Sequence, residues 1–117
     1  MEKFMFLFRG GDSHPHNATA SKESMAKMGE WTSWMQELGQ KGIMAGGEAL
    51  QPKGKSVTGR NKVVTEGTFK MEASDTVGGF VIINAKNINE AVEISKGCPI
   101  FSENGNLEIR QVAKVEM

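Results

Sequence analysis

The first apolar stretch of the chain alternates with the two-residue period of a β-strand and covers Lys3 to Arg9. Phe4, Phe6 and Phe8 fall on one side of this strand, but the opposite side is also largely apolar. A strand with two apolar sides needs both of its faces covered. Since one small domain with helices on a single face does not cover both, the pattern favours a dimer.

A polar loop from Gly10 to Ala20 precedes a segment with helical spacing. Ser21 is a candidate N-cap, and Lys41 followed by Gly42 is typical of a helix end. The predicted helix has one apolar face, with Trp34 at its edge, formed by Met25, Met28, Trp31, Met35 and Leu38.

The second half of the chain predicts three further strands, a hairpin and a short helix. They are a strand at Ile43–Leu50 broken by Gly46-Gly47, a turn at Gln51–Ser56, a hairpin at Val57–Phe69 with Asn61-Lys62 near its tip, a strand at Phe80–Ile83, a helix at Asn87–Gly97 and a last strand at Leu107–Met117. Asn87 and Glu90 have the spacing of a capping box. We expect Ile88, Ala91, Val92 and Ser95 on the inner face of this helix, and Leu107, Ile109, Ala113 and Val115 on one face of the last strand.

This order predicts an α+β fold, a ferredoxin-like β-α-β-β-α-β unit with an inserted hairpin. Its helices cover one face of the sheet, and the other face is too apolar for water alone. We therefore expect a homodimer whose sheets pack face to face as a dimeric α/β barrel. With 117 residues, the chain is expected to form one domain over 1–117.

Composition and charge exclude several classes of function. Lys and Arg number 14, as do Asp and Glu, so the formal net charge is zero. This argues against a nucleic-acid partner bound through a basic field and against a membrane surface. No apolar run is long enough to span a bilayer, the start of the chain does not look like a signal peptide, and the single cysteine excludes an intrachain disulfide. We expect a cytoplasmic protein.

Five short motifs, in order along the chain, resemble the YCII-related, DGPF-type proteins. They are Gly46 to Pro52 as a GGE-x-LQP stretch, Thr65 to Phe69 in place of TDGPF, the strand start Gly78-Gly79-Phe80, the second helix with Asn89-Glu90-Ala91 and its end at Cys98-Pro99, and the strand Leu107 to Arg110. The second motif has Glu for Asp and Thr for Pro.

The resemblance implies a dimeric, ferredoxin-like barrel and an accessory regulatory role, since some members are encoded beside alternative sigma factors. The wider superfamily includes enzymes, one of them a dehydrochlorinase, with a proposed His–Asp pair in the cleft. The predicted helix from Ser21 to Lys41 contains neither His nor Asp, so this pair is not carried over.

Glu48 is the candidate that carries chemistry, because it follows two glycines in a strand expected to be largely buried. Arg9 is its expected partner. One interpretation is an ion pair that closes the sheet edge. The other is a polar spot in an apolar cleft that binds a small anionic or aromatic ligand, with the cleft lined by Arg9, Gly46, Gly47, Glu48, Glu66, Phe69 and Phe80.

Two functions remain open at this stage: a homodimeric small-molecule-binding or regulatory module, and an enzyme. In the enzyme, Glu48 would be the general base and Arg9 would hold an anionic substrate for proton transfer or elimination. A protein-interaction partner without a ligand is a third alternative. Glu66 has a second interpretation as the cap of a turn before Gly67.

The remaining motifs have simpler interpretations. Ala49 to Ser56 fits a relaxed phosphate-loop pattern, but a strand follows it where a helix is needed, which favours a basic surface turn. Asp12, His14 and His16 form an incomplete ligand set, so we expect no metal and no cofactor. Cys98 is expected to be a small buried residue.

Overall fold

The computed structural model of the protein describes residues 1–10, 22–51, 53–69 and 76–115, with side chains from residue 26 onward in the first helix. The elements are β1 (Glu2–Gly10), α1 (Lys22–Gln40), β2 (Met44–Ala49), β3 (Lys55–Thr58), β4 (Val63–Glu66), β5 (Val77–Ala85), α2 (Ile88–Ser95), a 3-10 helix (Pro99–Glu103) and β6 (Gly105–Gln111). The predicted α+β order with an inserted hairpin is confirmed.

Four strands form one antiparallel sheet in the order β2-β5-β1-β6, and β3 pairs with β4 in a separate two-stranded sheet. β1 is therefore a central strand, while β2 and β6 are the edges. This is the strand order of a ferredoxin-like unit, with the hairpin inserted between β2 and β5.

The core lies between the sheet and the two helices. Phe4, Phe6 and Phe8 point into it from β1, as predicted, and Val81 and Ile83 point into it from β5. Burying these aromatic and branched side chains is the main favourable contribution to folding, at roughly 1.5–3 kcal/mol for each.

Helix α1 begins at Lys22 and ends at Gln40, close to the predicted bounds. Trp34, expected at the edge of the apolar face, is buried together with Leu38, whereas Met28 is exposed. Trp31 and Met35 are partly buried against the core. The predicted N-cap Ser21 and the side chain of Met25 lie outside the described residues.

Helix α2 starts as predicted, because Asn87 Oδ1 accepts a hydrogen bond from Glu90 N at 2.9 Å. The prediction of which residues form the inner face of this helix is partly wrong. Ala91 and Ser95 are buried, but Ile88 and Val92 are exposed, and Ile94 packs against the core in their place. The helix is only eight residues long, so the short apolar pattern did not fix its rotation.

Several strand boundaries differ from the predicted ones. β5 runs over nine residues because it pairs with β1 along nearly its whole length. β6 ends at Gln111, which pairs with Phe4, so the prediction of a strand to Met117 is wrong beyond Gln111 in the described residues. β1 begins at Glu2, and Val112 N still donates a hydrogen bond to Lys3 O at 2.8 Å, but Ala113 and Val115 are exposed.

The β3–β4 hairpin turns at residues 59–62, as expected from Asn61-Lys62, and Gly67 ends it with a φ of 98°. Ser56 Oγ donates a hydrogen bond to Gly67 O at 2.7 Å and closes its base. The valines Val57, Val63 and Val64 remain exposed. Among the described helices, none is long and apolar enough to cross a membrane.

Gly47 permits the close pairing of β2 and β5. A Cβ atom built at this position would lie 2.7 Å from Phe80 O and 3.1 Å from Val81 Cα, whereas nothing lies within 4 Å of a Cβ at the neighbouring Gly46. The pair of glycines thus has two roles: Gly47 allows close backbone approach, and Gly46 follows the irregularity in the β2–β5 register.

We predict that Gly47→Ala lowers the free energy of unfolding by about 1–3 kcal/mol, because the added methyl group has to push two backbones apart. Gly46→Ala, the matched control, should change it by less than about 0.5 kcal/mol. Urea unfolding followed by circular dichroism measures both values, and equal effects of the two substitutions would contradict the steric explanation.

Candidate functional site

The strand register divides the predicted site residues between the two faces of the sheet. Glu48 pairs with Phe80, which pairs with Leu7, and the neighbouring row of Gly47, Val81 and Phe6 faces the other way, with Val81 and Phe6 fully buried. Strand alternation therefore places the side chains of Glu48 and Phe80 on the face away from the helices, here called the open face. Gly46, which pairs with Ile82, lies on the open face, and Arg9 lies there too, because its side chain bonds to Glu108, the partner of Leu7 on β6.

Arg9 and Glu48 were predicted to form an ion pair. The structure instead shows Arg9 Nε bonded to Glu108 Oε1 at 3.0 Å. Glu108 is on β6, directly beside β1, whereas Glu48 is on β2, which is separated from β1 by β5. Both side chains of the Arg9–Glu108 pair are partly exposed, so the pair contributes little to stability.

Glu66 and Phe69 belong to the hairpin and the segment after it. Glu66 forms a surface ion pair with Lys55 at 3.2 Å, and Phe69 is 73% exposed. The structure does not bring either residue to the row formed by Glu48 and Phe80, because the hairpin pairs only with itself in the described sheets.

A cavity of about 270 Å³ lies between the sheet and α1, at the end of the sheet where β1 and β2 finish and β5 begins. Its walls are mostly apolar side chains from four elements, namely Phe8, Trp31, Met35, Met44 and Ile100. Gly10, Gly47, Ala49, Gly78 and Gly79 complete the lining with little or no side chain, and Glu48 and Phe80 border it from the opposite sheet face.

The cavity is bordered by β2, which is an edge strand in the part of the sheet that the structure describes. Leu50 N donates to Gly78 O at 2.9 Å, so residues 48 and 50 direct their backbone groups toward β5. In an antiparallel ladder the alternate residues, Gly47 and Ala49, then direct their N–H and C=O groups away from β5. The cavity therefore combines apolar walls with backbone donors and acceptors at its mouth.

Three of the seven predicted ligand-binding residues border this cavity: Gly47, Glu48 and Phe80. The other four, Arg9, Gly46, Glu66 and Phe69, are not part of its lining. Sequence analysis placed Trp31 and Met35 on the apolar face of the first helix, and the structure shows them partly buried and lining the cavity. An apolar stripe on a helix has the same spacing whether its residues fill the core or line a cavity. The sequence therefore holds no signal that separates these two roles.

Trp31 connects the cavity to the core. Its ring packs edge to face against Phe8, with centroids 5.0 Å apart, and against Trp34 at 6.0 Å. Its indole Nε1 donates a hydrogen bond to Glu103 Oε2 at 3.1 Å. Glu103 is fully buried at the end of the 3-10 helix, and sequence analysis did not single it out.

Cys98, at the start of the 3-10 helix, is buried as predicted. Burial raises the pKa of the Cys98 thiol from 9.0 to about 12; the charge of Glu103 also raises it, and a backbone hydrogen bond from Ile100 lowers it. The thiol is therefore protonated at neutral pH and is a poor nucleophile.

Other predicted features fall outside the described residues or lack support within them. Asp12, His14, His16 and Pro52 are not among the residues the structure describes. In the described part of the chain, no group of three or more His, Cys, Asp or Glu side chains is placed to hold a metal ion.

Comparison with known proteins identifies the class. Residues 5–116 match the YCII-related domain, and the chain belongs to this family. Among solved structures, the chain is similar to the 5-chloro-2-hydroxyhydroquinone dehydrochlorinase of Burkholderia phenoliruptrix in complex with 2,5-dihydroxybenzoquinone, at 12% identity and a TM-score of 0.47, over 95% of this chain and 93% of that one. The search of curated proteins found no match.

We predict that Cys98 reacts far more slowly with thiol reagents in the folded protein than in the unfolded one. A pKa of about 12 in place of 9.0 lowers the thiolate fraction near pH 8 by about a thousandfold. Labelling with Ellman's reagent, with and without concentrated guanidinium chloride, measures the ratio. Rapid labelling of the native protein would contradict it.

Proposed function

We propose that the protein binds a small, neutral, ring-shaped molecule in the cavity between α1 and the sheet. The observation that carries this proposal is the combination of apolar walls, including Phe8 and Trp31, with backbone groups of Gly47 and Ala49 that have no strand partner among the described residues. Ligand sites are typically apolar pockets with a few polar groups that fix orientation.

The size of the cavity favours a ligand of about one ring. At about 270 Å³ it lies just below the usual range of roughly 300–1,000 Å³ for small-molecule sites. A phenol fits this chemistry, because its ring suits the apolar walls and its hydroxyl can bond to the backbone at the rim. Of the two ligand classes predicted from the sequence, the aromatic one therefore suits the cavity better than the anionic one.

The enzyme alternative assigned proton transfer to Glu48 and anion binding to Arg9. Both side chains lie on the open face, and Arg9 is bonded to Glu108 at 3.0 Å. This arrangement favours ligand binding over a proton transfer or elimination carried out by Glu48 and Arg9. The regulatory role beside a sigma factor, implied by the resemblance to DGPF-type proteins, remains a prediction of that resemblance.

The open face supports a further part of the proposal, the homodimer. Four partly buried apolar side chains form a block at its centre, with Leu7 paired to Phe80 and Met5 paired to Ile82. Charged residues of both signs surround this block, namely Arg9, Glu48, Glu108 and Arg110. Such a surface complements itself across a two-fold axis, so a second copy of the chain is the partner we propose.

We predict that 4-methylphenol raises the melting temperature of the protein and that benzoate, which carries a charge, does so less. A ligand that binds only the native state stabilises it by about 2.7 kcal/mol at a hundredfold excess over its Kd. Ala49→Leu should abolish the shift, since residue 49 lines the cavity and the larger side chain fills it.

Ala45→Leu is the matched control for this experiment, because Ala45 is an exposed residue of the same strand that does not line the cavity. It should retain the shift. No shift in the unmodified protein, or an equal loss in both variants, would contradict the proposed site.

We predict that Leu7→Arg converts the homodimer to a monomer, because it places a charge in the centre of the apolar block on the open face. Ile88→Arg changes an exposed isoleucine on α2 and should leave the dimer intact. Light scattering at micromolar concentration measures both masses. A monomeric unmodified protein would contradict the dimer, independently of ligand binding.

A further inference from the structure

Glu103 is an unusual residue for the core, because a carboxylate is almost never fully buried unless it is paired. Its side chain is 0% exposed, and its Oε2 accepts the hydrogen bond from Trp31 Nε1 at 3.1 Å. The two residues are 72 positions apart in the chain, so the bond joins α1 to the 3-10 helix.

The backbone around Glu103 holds it in place. Asn104, which follows it, has a φ of 60° and ends the 3-10 helix in a left-handed turn. Gly105 then passes so close to Ile100 that a Cβ atom there would lie 2.5 Å from the Ile100 side chain. The carboxylate is therefore presented by a tightly packed turn rather than by a mobile segment.

Trp31 is the residue through which Glu103 reaches the cavity. The indole lines the cavity, is only partly buried and packs edge to face against Phe8. Ring packing alone leaves the indole some freedom to tilt about its two side-chain torsions. A hydrogen bond from the ring nitrogen to a fixed carboxylate removes that freedom, since such bonds are strongly directional.

We propose that Glu103 is a positioning residue for the cavity: it fixes the indole of Trp31 so that the ring forms a rigid wall against which a planar ligand fits. This inference rests on the proposed function, because it assigns to the same cavity the residue that sets its shape. Glu103 does not contact the ligand in this role and acts through Trp31.

Two substitutions separate the hydrogen bond from simple packing. Glu103→Gln keeps an oxygen acceptor of nearly the same shape, whereas Glu103→Met keeps the volume and removes the acceptor. Ala85→Gly is the stability control, since Ala85 is a buried residue at the other end of the sheet, paired with Glu2.

The first readout is the NMR signal of the indole N–H proton of Trp31, assigned by its loss in Trp31→Phe. We expect Glu103→Gln to retain a hydrogen-bonded, slowly exchanging proton. In Glu103→Met we expect the signal to move upfield and to exchange with solvent at least tenfold faster. The signal should not change in Ala85→Gly.

The second readout is the Kd for 4-methylphenol. We expect it to rise at least fivefold in Glu103→Met, and to stay within about twofold in Glu103→Gln and Ala85→Gly. If Glu103→Met does not fold, Trp31→Phe replaces it, because phenylalanine keeps an aromatic ring but lacks the donor; its Kd should rise at least threefold.

Failure of this inference is distinguishable from failure of the proposed function. If the unmodified protein binds 4-methylphenol and removal of the acceptor or the donor leaves the Kd unchanged, the positioning role is overturned and the binding site stands. If the unmodified protein binds neither 4-methylphenol nor benzoate, the proposed function itself is overturned, and the positioning role with it.

Discussion

The burial of β1 is the constraint on which the rest of the structure depends. This central strand is paired on both sides, and its inward side chains Phe4 and Phe6 are completely buried. Helix α1 covers Phe6, with the ring of Trp34 stacked on it at a centroid distance of 6.4 Å. Phe8 continues the same row but ends in the cavity, so the cavity is the place where the aromatic core stops short of closing.

Glycines explain why the core stays open at this point. Gly79 pairs with Phe8 on β1 and with Ala49 on β2, and Leu107 on β6 pairs with Phe8, so this row of four residues has large side chains only on β1 and β6. Gly47 lies beside it for a different reason, since the β5 backbone leaves no room for a Cβ atom there. Steric demands of strand pairing and the opening of a cavity thus coincide in the same two strands.

Sequence patterns predicted the elements whose signals are local. The alternation along β1 and the Asn87 cap of α2 depend on neighbours a few residues apart, and both were confirmed. The apolar stripe of α1 was confirmed only in part, because Met28 is exposed and Trp34 is buried. The 3-10 helix was missed because five residues carry too little periodicity. The partner of Arg9 was predicted wrongly, although the ferredoxin-like strand order places β6 beside β1 and separates β2 from it by β5. Glu108 is 99 residues from Arg9, so no local pattern pointed to it. Glu103 gave no signal for the same reason, since its contact with Trp31 spans 72 residues.

The two faces of the sheet carry the two proposed interactions, and β2 contributes to both. Gly47 and Ala49 border the cavity, while their neighbours Gly46 and Glu48 belong to the open face where a second copy is proposed to pack. Adjacent residues of a strand lie on opposite faces of the sheet, so a displacement of β2 changes the cavity and the open face at the same time. In the sheet that the structure describes, β2 is also an edge strand whose only strand partner is β5. If ligand binding and dimerisation both favour the same position of β2, the two are thermodynamically coupled. Each then raises the affinity of the other by the same factor.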